Sequence, residues 1–132
     1  MEFKLGLHRT GVLDVEATRR DAERAGFTAF VLPTKGIVDR VSFFDAVRAT
    51  FPLDPLLVRS HSWDALSDSL WEGLLAHSSE RIAVVWQGTG AMAASAASDF
   101  DTALNVLADV ATLLGDQRAT GGGSKEIVIL VE

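Results

Sequence analysis

Three short apolar runs punctuate the chain: Thr28–Leu32, Ile82–Trp86 and Ile127–Val131. Each is rich in β-branched or aromatic residues, is continuous rather than alternating, and is bounded by polar residues, Gly or Pro. This pattern predicts strands covered on both faces of a parallel sheet. Between the runs the apolar positions take the helical period. Residues 13–25 carry Glu16/Arg20 and Arg19/Glu23 at i,i+4 and stop at Gly26, which suits the position just past a helix. Ser42–Thr50 reads as a second helix with Phe43, Phe44 and Val47 inward, ended by Pro52 and Pro55. A third is expected over Trp63–Ala76. A fourth is expected over Asp99–Leu114, with Phe100, Leu104, Leu107, Ala111 and Leu114 on its inner stripe. Ser98 can cap that helix, and Asp99 and Asp101 suit its positive end. Thr120–Ser124 reads as a glycine-rich loop into the last strand.

The predicted order is α-β-α-α-β-α-β, an α/β fold with a three-stranded parallel sheet packed with helices and joined by right-handed crossovers. A length of 132 residues, without an internal repeat or long linker, gives one domain, 1–132.

Composition narrows the function classes. With 48% hydrophobic and 23% charged residues the chain is globular rather than disordered. The absence of cysteine excludes a disulfide scaffold, a Cys-based zinc site and thiol catalysis, and fits a reducing compartment. No apolar run reaches membrane-spanning length, and Met1–Gly6 lacks the basic and apolar regions of a secretory signal, so a cytoplasmic protein is expected. The net charge of −6 argues against nucleic-acid or membrane-surface binding. That charge is concentrated. From Ala49 to Gln117, nine acids face only Arg59 and Arg81 as bases.

The third helix carries the candidate chemistry. At ~100° per residue, Trp63, Leu66, Leu70 and Leu74 fall on one stripe, the buried one. Asp64, Asp68 and Glu72 form a second stripe, with Trp71 beside it and expected to be exposed. Ser62 is a natural N-cap. The helix dipole accounts for Asp64. Asp68 and Glu72 add two like-charge i,i+4 contacts costing roughly 0.2–0.5 kcal/mol each, and no Lys or Arg on the helix offsets them. Aspartate is a poor interior helix former, and Gly73 either weakens the helix further or admits a close neighbour. The stripe is a binding surface or a solvated acidic face.

Trp63-Asp64-Ala65-Leu66-Ser67-Asp68-Ser69-Leu70 resembles the D-A-L-x-D-x-L helix of the barstar family, whose type member is the intracellular inhibitor of the secreted ribonuclease barnase. The likeness extends over about Thr28 to Glu132, leaving residues 1–27 as an N-terminal helical extension. The resemblance implies a barstar-like fold and a non-enzymatic inhibitor or immunity protein. Such a protein blocks the basic active site of a ribonuclease by acidic mimicry of RNA phosphate. Carried over residue by residue, Asp68 matches the central aspartate of the motif, Asp64 the first, and Ser67 and Trp71 neighbouring contact positions. Asp99 or Asp101 matches a further acid near the start of the fourth helix; His61 and Glu72, which match no position of the family motif, complete the candidate partner-binding set. The implied partner is a secreted or toxin-type ribonuclease with a basic cleft, without nucleic acid, membrane, cofactor or metal. The family's aromatic-aromatic-Gly-x-Asn run is here Val58-Arg59-Ser60-His61-Ser62, in a chain without tyrosine, and Gly73 stands at a family tryptophan position. Those departures point to a partner other than barnase itself. The alternative is a regulatory protein-interaction module with the same fold that binds a basic partner other than a nuclease.

Other signals have plainer readings. His61 with Asp64 and Asp68 is a poor metal-ligand set, and a histidine at a helix start explains it. The serines around His61 match no hydrolase elbow. Gln87-Gly88-Thr89-Gly90 lacks the remaining residues of a phosphate loop and reads as a flexible connection. An acid–base enzyme built on Asp64 and Asp68 would need a shared proton and a pocket. Trp63 and Trp86 are expected in the core.

Overall fold

The computed structural model describes residues 2–132. Its elements follow in the order β1 (Gly6–Arg9), α1 (Val15–Arg24), β2 (Thr28–Val31), α2 (Arg40–Thr50), α3 (Trp63–Ala76), β3 (Arg81–Trp86), α4 (Gly90–Ser95), α5 (Ala97–Leu114) and β4 (Glu126–Val131). The strands form one parallel sheet in the order β1-β4-β3-β2.

Handedness explains the layering. The connection through α1 crosses the whole sheet from β1 to β2, and the later connections step back from β2 to β3 to β4. Right-handed crossovers running in opposite directions place their helices on opposite faces. Alternate residues of β3 and β4 accordingly serve two cores. Ala83, Val85, Val128 and Leu130 pack with Leu13, Ala22 and Phe27 on the α1 side. Ile82, Val84, Trp86, Ile127, Ile129 and Val131 pack on the larger side with residues of α2, α3, α4 and α5.

The expected three-stranded sheet is corrected to four strands. Gly6-Leu7-His8-Arg9 has one strongly apolar residue, so it carries no apolar run to find. It forms because β4 offers it a ladder, pairing Gly6 with Val128 and Arg9 with Val131. The first 27 residues thus hold a strand as well as a helix. The turn Gln87–Thr89 is also tighter than a flexible connection. Gly88 has φ +78°, and a Cβ there would lie 2.2 Å from the Thr34 carbonyl, so only glycine fits. The Ala-rich stretch beyond it forms the short helix α4, and α5 begins at Ala97, ahead of the expected cap at Ser98. Asp39 rather than Ser42 starts α2: its carboxylate accepts from the Ser42 N–H at 2.9 Å, and the Ser42 hydroxyl accepts from the Asp39 N–H at 3.0 Å.

An aromatic cluster seats the first turn of α3. Trp86, fully buried, lies 5.0 Å from Phe43 and 5.6 Å from Phe100 between ring centroids, and Phe43 lies 5.8 Å from Trp63. No helix among the described residues is long and apolar enough to cross a membrane.

Candidate functional site

Helix α3 starts where the Ser62 hydroxyl accepts from the Ala65 N–H at 3.3 Å. Leu66, Ser69, Leu70, Gly73 and Leu74 are buried, while Asp64, Asp68 and Glu72 are exposed. With 3.6 residues per turn, Asp68 sits roughly opposite the centre of the buried face, and Asp64 and Glu72 flank it one turn to either side. The three carboxylates form a ridge along the outermost line of the helix.

Two walls set that ridge in place. On one side the chain segment before α3 crosses it closely. The Asp54 N–H donates to the Ser69 carbonyl at 3.1 Å, and the Ser69 hydroxyl donates to the Pro55 carbonyl at 2.5 Å. A Cβ on Gly73 would stand 1.5 Å from the Pro52 carbonyl oxygen, so this crossing exists only because residue 73 is glycine. The close neighbour that Gly73 admits is therefore the chain's own backbone. On the other side, Ser67, Asp68, Trp71 and Glu72 share a depression of about 360 Å³ with Leu113 of α5 and Ala119. Trp71, expected to be exposed, is instead half-buried. It packs against the core, and its indole N–H is buried without an acceptor among the described residues. The proximity of α5 accounts for the difference, because a single-helix wheel contains no neighbouring helix.

The ridge is three unpaired carboxylates in line on one helix; Asp54, Glu80, Asp99, Asp101 and Asp109 also form no ion pair among the described residues. Ion pairs form between Arg19 and Glu16, Arg19 and Glu23, Arg48 and Asp45, and Arg81 and Glu126. Among the described residues none involves Asp64, Asp68 or Glu72, and none of their carboxylates accepts a hydrogen bond. The nearby arginines of α2 spend their donors elsewhere. Arg48 donates through Nε to the Leu57 carbonyl and through Nη2 to the Ser60 carbonyl at 2.7 Å. Arg40 donates through Nε to the His61 carbonyl at 2.7 Å, and its guanidinium lies 5.1 Å from the Trp63 ring centroid. Both side chains clamp the approach to α3. Sequence reasoning missed them, along with Leu113 and Ala119, because no local pattern links α2 or α5 to residues 57–61 or to Asp68. Arg59 is exposed and makes no hydrogen bond among the described residues.

The remaining candidates take different places. His61 is exposed at the start of α3, with its ring 5.5 Å from Phe44. Ser67 is half-buried at the edge of the depression. Asp99 and Asp101 lie in the first turns of α5, more than three turns before Leu113. That spacing is roughly 18 Å or more along the helix axis at 1.5 Å per residue. The depression therefore joins Ser67, Asp68, Trp71 and Glu72, and leaves Asp99 and Asp101 toward the opposite end of α5. Among the described residues no three His, Asp or Glu side chains converge in a way that could hold a metal ion.

A surface of this kind can attract a cation-rich partner and exchange hydration for charge-assisted hydrogen bonds. No curated protein and no solved structure matches the chain. The family model described as Barstar (barnase inhibitor) matches residues 27–121, a stretch that contains α3 and both of its walls and begins after β1 and α1. The chain belongs to the barstar family.

Proposed function

We propose that this chain is an inhibitor or immunity protein that blocks the basic active site of a ribonuclease, with Asp68 taking the place of an RNA phosphate. The observation that carries the reading is the ridge itself: three exposed carboxylates without an internal cation, on a helix that pays for their repulsion. Asp64 and Glu72 steer the partner, and Asp68, at the outermost point, enters the cleft. Once desolvated there, it pairs with the guanidinium or imidazolium groups that otherwise bind phosphate. The inhibitor offers the cleft no scissile phosphodiester, so it occupies the site without being processed. The clamps from Arg40 and Arg48 hold residues 57–61 in one arrangement, which lowers the ordering cost of binding.

The test is inhibition of a panel of basic secreted ribonucleases, barnase among them, by the wild-type chain and by Asp68→Ala. Stoichiometric inhibition that Asp68→Ala abolishes supports the reading. No inhibition of any ribonuclease, together with capture of a basic protein lacking nuclease activity, supports the second reading of a regulatory interaction module. That alternative draws on the run Val58–Ser62, where the exposed Arg59 stands at a family aromatic position on the segment leading into α3.

A further inference from the structure

From Ala49 to Gln117 the only Lys or Arg residues are Arg59 and Arg81. Arg81 is committed within the molecule: it pairs with Glu126 at 2.6 Å and donates to the Ala25 carbonyl. Arg59 is exposed, and among the described residues its guanidinium makes no ion pair, hydrogen bond or aromatic stacking contact. Asp54 and Asp64, both exposed, lie five positions to either side of it in the chain, and it pairs with neither.

The backbone around Arg59 is fixed. Arg48 holds the Leu57 and Ser60 carbonyls, Arg40 holds the His61 carbonyl, and the Ser60 hydroxyl accepts from the Ser62 N–H at 3.1 Å. The Leu57 side chain is buried and Ser60 is half-buried, so Val58 and Arg59 are the two residues of this stretch turned out to water between anchored neighbours.

An unpaired guanidinium just before α3 works against the docking of a basic cleft, because like charges set against each other across an interface cost affinity. It helps only where the partner supplies an anion. A guanidinium takes a carboxylate or a phosphate bidentately. The three carboxylates that follow Arg59 in the chain repel a nucleic-acid phosphate, which leaves a carboxylate on a protein.

We propose that Arg59 sets the specificity of inhibition: the ribonuclease this chain blocks carries an Asp or Glu at the rim of its basic cleft, facing the start of α3, and Arg59 pairs with it. The inference rests on the proposed function and adds a charge pattern to the partner. Arg59, Asp64, Asp68 and Glu72 run as one cation followed by three anions, so the matching surface is one carboxylate beside a group of cations. A cleft without that carboxylate meets Arg59 with its own cations and is disfavoured, so one residue admits some basic ribonucleases and rejects others. Residues 57–61 are already held, and pairing then costs little beyond the ordering of one side chain. Leu56 and Val58, which are 77% and 78% exposed, precede Arg59 and offer apolar surface that keeps water from the pair once the partner is seated.

Inhibition constants against the panel of basic secreted ribonucleases, barnase among them, test this for wild type, Arg59→Ala, Arg59→Glu, Asp68→Ala and Arg24→Ala. Against a ribonuclease that the wild type inhibits, Arg59→Ala should weaken inhibition at least ~10-fold and Arg59→Glu further. Changing the facing Asp or Glu of that ribonuclease to Lys should restore inhibition by Arg59→Glu. Arg24→Ala removes the same charge from α1, on the other side of the sheet, and should leave inhibition unchanged. The proposal is overturned if Arg59→Ala inhibits as well as the wild type or better, or if Arg24→Ala loses as much. It is overturned equally if no Asp or Glu at the cleft rim, changed to Lys in turn, restores inhibition by Arg59→Glu. In each of those cases a loss of inhibition in Asp68→Ala leaves the proposed function standing without this inference. A wild type that inhibits no member of the panel overturns both.

Discussion

On α1, Arg19 binds Glu16 at 2.6 Å and Glu23 at 3.0 Å, whereas on α3 Asp64, Asp68 and Glu72 follow one another with no cation on the helix. Both helices lie on the surface of the same sheet and bury one stripe. On α1 the exposed Glu16 and Glu23 both meet Arg19 within a turn, which suits a helix whose polar side faces water. On α3 the same i,i+4 spacing repeats one sign, and the arginines closest in the fold are committed to carbonyls of residues 57–61. The difference separates charge that is paired within the molecule from charge that meets no cation among the described residues; under the proposed function the second kind is what a basic cleft would take up.

The most severe way to break this contrast is to make α3 resemble α1. Asp68→Lys turns two repulsive spacings into two attractive ones, and Asp68→Ala simply removes the central charge. Against any ribonuclease that the chain inhibits, Asp68→Ala should cost about 2–5 kcal/mol of binding, the range for truncating one partner of a desolvated charge pair. Asp68→Lys should cost more, and Glu72→Ala much less. Titration calorimetry of the three variants checks the order. Arg19→Ala, which disturbs the balanced helix, should leave binding unchanged.

The next effect is on stability. Gly73→Ala should destabilise the fold by about 1–3 kcal/mol in a urea melt, because the new methyl meets the Pro52 carbonyl and outweighs the higher helix propensity of alanine. A stabilised Gly73→Ala variant would mean that the segment before α3 does not wall the ridge. A smaller change of opposite sign is expected for Asp68→Lys, which should raise stability by about 1 kcal/mol as two like-charge contacts become attractive. If Asp68→Lys proves destabilising, the ridge contributes to folding, and its contrast with α1 fails.

The smallest effect concerns a carboxylate that is settled internally. The Ser42 hydroxyl, and then its backbone N–H, hold Asp39 below the ordinary aspartate range. A carboxylate with its folded-state pKa lowered stabilises the fold above its unfolded pKa and loses that contribution as pH falls through the folded value. Asp39→Ala should therefore lower the melting temperature at pH 7. The difference from wild type should shrink steadily below pH ~4, the ordinary aspartate range. Thermal melts of both chains across that window measure it.

How far the molecule could be read from its residues follows the same division between local and distant physics. The strands β2, β3 and β4 are visible as apolar runs; helices on the two sides of the sheet cover β3 and β4 on both faces as expected, whereas β2, at an edge, is only half-buried. The ridge is visible because helical period alone fixes where Asp64, Asp68 and Glu72 point. Strand β1 is not, because Gly6–Arg9 takes its conformation from a partner more than a hundred residues away in the chain. The half-burial of Trp71, the crossing at Gly73 and the arginine clamps are invisible for the same reason: each depends on which elements become neighbours. Gly73 alone left a sign, as a glycine inside a helix that needed some reason to be there.

The most direct test of the central claim is the association rate with a ribonuclease that the chain inhibits, measured against ionic strength. Wild type is compared with a chain carrying Asp64→Asn, Asp68→Asn and Glu72→Asn together. If the ridge is charge held ready for a basic cleft, the wild-type rate falls steeply with salt, while the triple variant associates slowly at every salt concentration. Equal rates and equal salt dependence in the two chains would contradict it.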